Sequence, residues 1–222
     1  MARLRYSFVF LGAFLATSSA FAGVVEGNPR VVDGDTLAFG DVRVRLDGID
    51  APEAGQSCDE VDGGHWRCDD AVMNKLVELV ASGVQCEGNA YDGYDRLLAT
   101  CVNVNGVNIN ELLVTEGLAW AFRKYSLQYA PQEDVARSKG IGIWQANTMP
   151  AWEYRELKWQ AAVDDAPDGC PIKGNISKNG KIYHPPWSPW YNKTKVNVKS
   201  GERWFCNEKE ALDAGWRAPA WR

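Results

Sequence analysis

Histidine is nearly absent from this chain of 222 residues: only His65 and His184 occur, and no C-x-x-C pair accompanies them. That argues against a zinc site, which is built from such ligands, and leaves no support for histidine-based catalysis. Long apolar runs are missing too. Phe8 to Ala16 is too short for a stable membrane span, and no later segment comes close. There is no internal repeat and no low-complexity tract. Basic charge is scarce over most of the length: residues 23–150 carry 10 Lys/Arg against 20 Asp/Glu, a net charge of −10. An acidic body of this kind is not a tight, non-specific binder of nucleic acid. A polyanionic substrate must be held by local cations, by a bound metal or by the tail, where residues 151–222 reach a net charge of +3.

The N-terminus carries an export pattern. Met1-Ala2-Arg3-Leu4-Arg5 is a basic n-region, Phe8 to Ala16 a short apolar core, and Ala20-Phe21-Ala22 a small-x-small cleavage signal. The expected mature chain begins near Gly23 and is secreted or periplasmic. An amphipathic start helix is the alternative. Six cysteines suit an oxidising compartment, and an even count favours disulfides. Three sequence-local pairs suggest themselves: Cys58–Cys68, Cys86–Cys101 and Cys170–Cys206. Each would add about 2–4 kcal/mol by restricting the unfolded chain.

Val24 to Phe39 and Asp41 to Ile49 read as β. Val42, Val44 and Leu46 alternate with Arg43 and Arg45, so one row faces the core and the arginines face the other way. Gly40-Asp41 fits a two-residue hairpin turn. Glu53 to Cys68 has no period and reads as a loop closed by its own disulfide. Asp69-Asp70 open a helix with a stripe of Val72, Leu76, Leu79 and Val80, ended by Gly83. Val84 to Glu87 and Leu97 to Val104 form a strand pair. Asn108 with Glu111 resembles a capping box before Ile109, Leu112 and Leu113, and a third helix starts near Pro131 and ends near Gly140. The order predicts an α+β domain on a small antiparallel barrel.

After Trp144 the composition shifts. Seven of the ten tryptophans lie between Trp152 and Trp221. Residues 149–168 read as a linker, and 169–222 as a small basic module stapled by one disulfide. Between Cys170 and Cys206 seven Lys/Arg stand against one acid, interleaved with aromatics that could stack bases. A tryptophan-stabilised mini-domain with solvated lysines is the competing reading.

The chemistry concentrates elsewhere. Asp33-Gly34-Asp35-Thr36, Arg45, Asp50-Ala51-Pro52-Glu53 and Arg96 supply carboxylates for a hard cation, a carboxylate that can take a proton, and guanidiniums that match phosphate. Together with Tyr94-Asp95-Arg96-Leu97-Leu98-Ala99, Val107 to Leu113, Glu116-Gly117-Leu118-Ala119 and Gly142-Ile143-Trp144, this ordered set resembles the staphylococcal (micrococcal) nuclease, or thermonuclease-like, family over residues 24–146. The resemblance implies a five-stranded OB-type barrel with three helices and calcium-dependent hydrolysis of DNA and RNA phosphodiesters. It implies calcium (Ca2+) ligands from the carboxylates of Asp35 and Asp50 and the carbonyl of Ala51. It makes Glu53 the residue that activates or orients water, and Arg45 and Arg96 the phosphate-binding pair. Tyr94 and Tyr125 would lie near the nucleotide.

The pattern has departures. Ala51 stands where the best-known member of the family has threonine, Gly93 where it has lysine, and Arg123 where it has a nucleotide-packing tyrosine. The Cys58–Cys68 loop is an insertion. No calcium ligand is lost. The expectation is an exported nuclease that acts as a monomer on DNA and RNA, with neither a membrane nor an obligate protein partner. A silent OB-type binding module and a phosphodiesterase for another exported ester are the alternatives.

Overall fold

The computed structural model describes residues 23–219. The expected signal at 1–22 lies outside the described residues. Five short strands come first: β1 (Gly23–Gly27), β2 (Arg30–Asp33), β3 (Thr36–Phe39), β4 (Val42–Leu46) and β5 (Ile49–Asp50). The run from Val24 to Phe39 is β as expected, divided into three strands. Gly27, at φ +132°, takes a backbone conformation that side chains rarely allow, and it separates β1 from β2. The Gly40-Asp41 turn joins β3 to β4 as expected, with Phe39 opposite Val42.

The loop from Glu53 contains a two-stranded ribbon, β6 (Cys58–Asp59) with β7 (His65–Trp66). Then follow α1 (Cys68–Val80), β8 (Val84–Tyr91), β9 (Leu97–Asn103), α2 (Ile109–Thr115), β10 (Trp120–Ala121) and α3 (Ala130–Ser138). Asn108 caps α2 by accepting from the Glu111 amide at 3.1 Å. The reciprocal half of a capping box is missing, because the Glu111 carboxylate accepts instead from Gln132.

The main sheet runs β1-β8-β9-β4-β3-β2, antiparallel except for β4 beside β9. It curls around Leu37, Val44, Leu46, Leu76, Leu97 and Leu113, all at most 1% exposed. The chain thus has a curled sheet of six strands where five were expected. The first stretch is divided between two partners: β1 pairs with β8 along its whole length, and β2, after a break of two residues, pairs with β3.

Residues 149–168, expected as a linker, hold a 13-residue helix, α4 (Ala151–Val163). Its tryptophans explain the order. Trp152 stacks on Phe122 at 5.8 Å and meets Trp120 edge-on at 6.1 Å, while Trp159 lies 6.3 Å from Trp187. The helix is fastened to both halves of the chain. Beyond it, β11 (Ile172–Ser177), β12 (Gly180–His184) and β13 (Arg203–Phe205) form a small antiparallel sheet, followed by α5 (Glu208–Asp213). Its core is Ile172, Tyr183, Phe205, Ala211 and Trp216. All three sequence-local disulfides are present, and no described cysteine is free. Among the described residues no helix is long and apolar enough to cross a membrane.

Candidate active site

The Asp33-Gly34-Asp35 turn joins β2 to β3 and is held from three sides. The Asp35 amide donates to Asp33 Oδ1 at 3.2 Å, the Thr36 hydroxyl to Asp35 Oδ1 at 3.0 Å, and the Leu46 amide to the Asp35 carbonyl at 2.8 Å. Gly34 presses against the strand exit beyond β5: a Cβ built there would stand 2.8 Å from the Ala51 Cβ and 2.9 Å from Val72 Cγ1. Arg45 sits opposite Thr36 on β4. Its guanidinium bridges two carboxylates, with Nη1 2.5 Å from Asp35 Oδ2 and Nη2 2.9 Å from Asp50 Oδ1. Glu53 follows three residues after Asp50, its amide donating to Gln56 Oε1 at 3.0 Å.

Arg96 comes from the β8–β9 turn. Its Nε donates to Asp92 Oδ2 at 2.7 Å and its Nη1 to the Thr36 hydroxyl at 3.4 Å, and its guanidinium lies 5.2 Å from the Tyr94 ring centre. Arg43 on β4 donates to the Tyr94 carbonyl and ties that turn to the sheet.

These groups border a cleft of about 560 Å³. Asp35, Arg45, Ala51, Glu53, Tyr94, Arg96 and Tyr125 all line it. Asp50 does not: its side chain is wholly buried, behind the guanidiniums of Arg45 and Arg155. Arg123 is turned away to ion pairs with Glu133 and Asp134, and Phe122 and Tyr125 supply the aromatic wall instead. Gly93 borders the cleft with open space where a side chain would be. Trp187 and Glu208 reach it from the C-terminal module.

The electrostatics set the carboxylates apart. Burial, then the charge of Asp35, pushes Asp33 up to about 7. Burial works the same way on Asp35, but Arg45 and Arg96 outweigh it and hold that carboxyl below its usual range. Burial pushes Glu53 up to about 8, against the pull of Arg155. Burial also raises Tyr94, with the charge of Glu208 behind it.

No three His, Cys, Asp or Glu side chains among the described residues converge into a metal cluster. The candidate donors are the pair Asp35 and Asp50, hard oxygens of the type calcium takes, with carbonyl and water oxygens to complete the shell. Both bond the Arg45 guanidinium, so the two carboxylates are turned toward the same cation. The donor set fits.

Sequence reasoning missed Arg155. From α4 its Nη1 lies 3.1 Å from Asp50 Oδ1 and 2.5 Å from Glu53 Oε1, and its Nη2 lies 2.8 Å from Asp50 Oδ2. A signal was there: Arg155 stands three residues after Trp152 and four before Trp159, on the stripe of the helix that carries its anchoring tryptophans.

Comparison with known proteins follows the same division. The family model for staphylococcal nuclease homologues matches residues 43–146, and a second model, ArfC, matches residues 156–218. Arg155 falls in the short interval that neither covers. The succinoglycan biosynthesis protein ExoI of Rhizobium meliloti (strain 1021) is 33% identical over 150 residues, 65% of this chain and 78% of that protein. An uncharacterized endonuclease of Escherichia coli O157:H7 is 34% identical over 136 residues, 58% of this chain and 83% of its own. The micrococcal nuclease of Shigella flexneri is 32% identical over 150 residues, 60% of this chain and 80% of that enzyme. With this cleft, this curled sheet and relatives matched over most of their length, the chain belongs to the staphylococcal nuclease family.

Proposed function

We propose that this protein is an exported, calcium-dependent endonuclease that hydrolyses the phosphodiester bonds of DNA and RNA. The observation that carries the reading is the gathering of Asp35, Arg45, Glu53 and Arg96 around one cleft, with Asp50 directly behind it. Asp35 and Asp50, with the Ala51 carbonyl, are the residues to hold calcium. When bound, that ion would polarise the phosphoryl oxygen and offset charge at phosphorus. Arg45 and Arg96 bind the scissile phosphate, where their planar forks match its oxygens. Glu53 orients a water for attack and accepts its proton. Tyr94 and Tyr125 flank the bound nucleotide. Nothing in this scheme uses a 2′-hydroxyl, so both nucleic acids are substrates. Export rests on the signal pattern of residues 1–22, and three disulfides suit an oxidising compartment. The domain assignment that goes with it is 23–148 for the nuclease unit and 169–222 for the module.

The test is digestion of plasmid and single-stranded DNA and RNA by the mature protein, with calcium and with a chelator, beside Glu53→Ala. Calcium-dependent cleavage should fall in the variant by roughly 10²–10³, the usual loss when one charge-directed contact to the reacting centre is removed. No cleavage by folded, disulfide-intact, calcium-supplied protein would move the reading to a nucleic-acid-binding module.

A further inference from the structure

Asp50 cannot be reached from the cleft while both its oxygens are engaged. Arg45 and Arg155 bond Oδ1, and Arg155 also bonds Oδ2. Arg155 holds Glu53 at the same time. One side chain therefore covers a metal-ligand candidate and the water-orienting carboxylate together. We propose that Arg155 is a positioning residue that competes with the divalent cation for Asp50, so that loading the site requires its guanidinium to leave. The proposal rests on the calcium-nuclease reading above.

The physical case has three parts. A guanidinium and a calcium ion want the same carboxylate lone pairs, and two cations packed against one carboxylate repel each other. The stem that delivers Arg155 is firmly placed. Its helix is stacked through Trp152, and the chain just before it is bonded to the Glu53–Cys68 segment by Gln56 Nε2 to the Met149 carbonyl at 2.8 Å and by the Asp59 amide to the Thr148 hydroxyl at 3.1 Å. The guanidinium itself has somewhere to go: its side chain is 23% exposed and borders the cleft. A fixed backbone with a side chain free to turn into solvent makes a switch of one residue. Displacing it frees Asp50 Oδ2 for the ion and Glu53 for water in one movement, while Arg45 keeps its bond to Asp50 Oδ1.

The experiment is calcium titration by calorimetry of the full mature chain, comparing the natural protein with Arg155→Gln and Arg155→Lys, and with Asp50→Asn as the ligand-loss control. Nuclease activity is followed in the same samples. Arg155→Gln should bind calcium at least tenfold more tightly, and Arg155→Lys, which keeps charge but loses the fork, by an intermediate factor. If Arg155→Gln does not fold, the lysine variant alone decides. Equal or weaker affinity in the folded variants overturns the proposal, as does an absence of calcium binding in all of them. Unchanged affinity with a raised KM for DNA also overturns it and makes Arg155 a substrate contact. The nuclease reading fails separately: tighter calcium binding without cleavage in any form would sink that reading and leave the competition standing.

Discussion

Single atoms decide the geometry of this site. Gly34 is the clearest case, because the turn that aims Asp35 lies against Ala51 and Val72 with no room for a methyl group. Gly34→Ala should lower stability by about 1–3 kcal/mol, the usual cost of forcing an extra methyl into packed surroundings. Shifting Asp35 away from Asp50 should also cut cleavage at sub-saturating calcium more than at saturation. Thermal unfolding beside a calcium dependence of rate checks both, and a variant with normal values in each would refute the account. Residues of this kind were legible in the sequence, since Asp35, Arg45 and Asp50 lie within 16 positions on consecutive strands and a turn. Arg155 was harder to read, because 105 residues separate it from Asp50 and the tryptophan stripe it stands on marks an anchored helix, not a site.

At the scale of elements, sequence patterns worked where one face of the chain is apolar and failed where a single backbone position or a few large rings decide. The stripe Val72, Leu76, Val80 becomes the buried face of α1, and the alternation of β4 places Val44 and Leu46 in the core. The break between β1 and β2 falls at Gly27-Asn28-Pro29, where Gly27 takes a positive φ and Pro29 has no amide to donate, and α4 is fixed by tryptophans set among charged residues, a composition that reads as a linker. The C-terminal sheet contains a different device in β12. His184 is buried with both ring nitrogens paired, Nε2 3.1 Å from Asn175 Oδ1 and Nδ1 3.3 Å from the Ser188 hydroxyl. Burial, then the charge of Lys173, lowers it to about 4. A depressed value means the unfolded chain binds the proton first. The stability is therefore fully present above about 6.5 and is lost as pH falls toward 4, by an amount on the order of 2 kcal/mol. Tryptophan fluorescence during denaturation at pH 7 and pH 4.5 should show that loss, and His184→Gln should flatten it. A pH dependence identical in the variant would assign the effect to other groups.

Across the whole molecule, charge is divided between an acidic unit that carries the chemistry and a basic one that borders its cleft through Trp187 and Glu208. A polyanion approaching residues 23–150 meets net repulsion, which the arginines of the site relieve locally. The module offers the opposite sign. Lys193, Lys195 and Lys199 are exposed along one segment between β12 and β13, with Tyr191 beside them. Lys173 is not part of this set, since it donates to the Tyr191 carbonyl at 3.1 Å and is taken up by the fold. If the module docks the strand, replacing those three lysines by glutamine should weaken binding of single-stranded DNA and flatten its salt dependence. Each lost phosphate contact on a single strand lowers the slope of log K against log salt by about 0.7, so the triple variant should lose up to about 2. The residues that line the cleft on the acidic unit are untouched, so kcat at saturating substrate should hold while KM rises. Unchanged affinity and slope would leave the lysines as solvated surface, and the role of the module would then be to brace the helix that carries Arg155, through Trp187 against Trp159, and to wall the cleft.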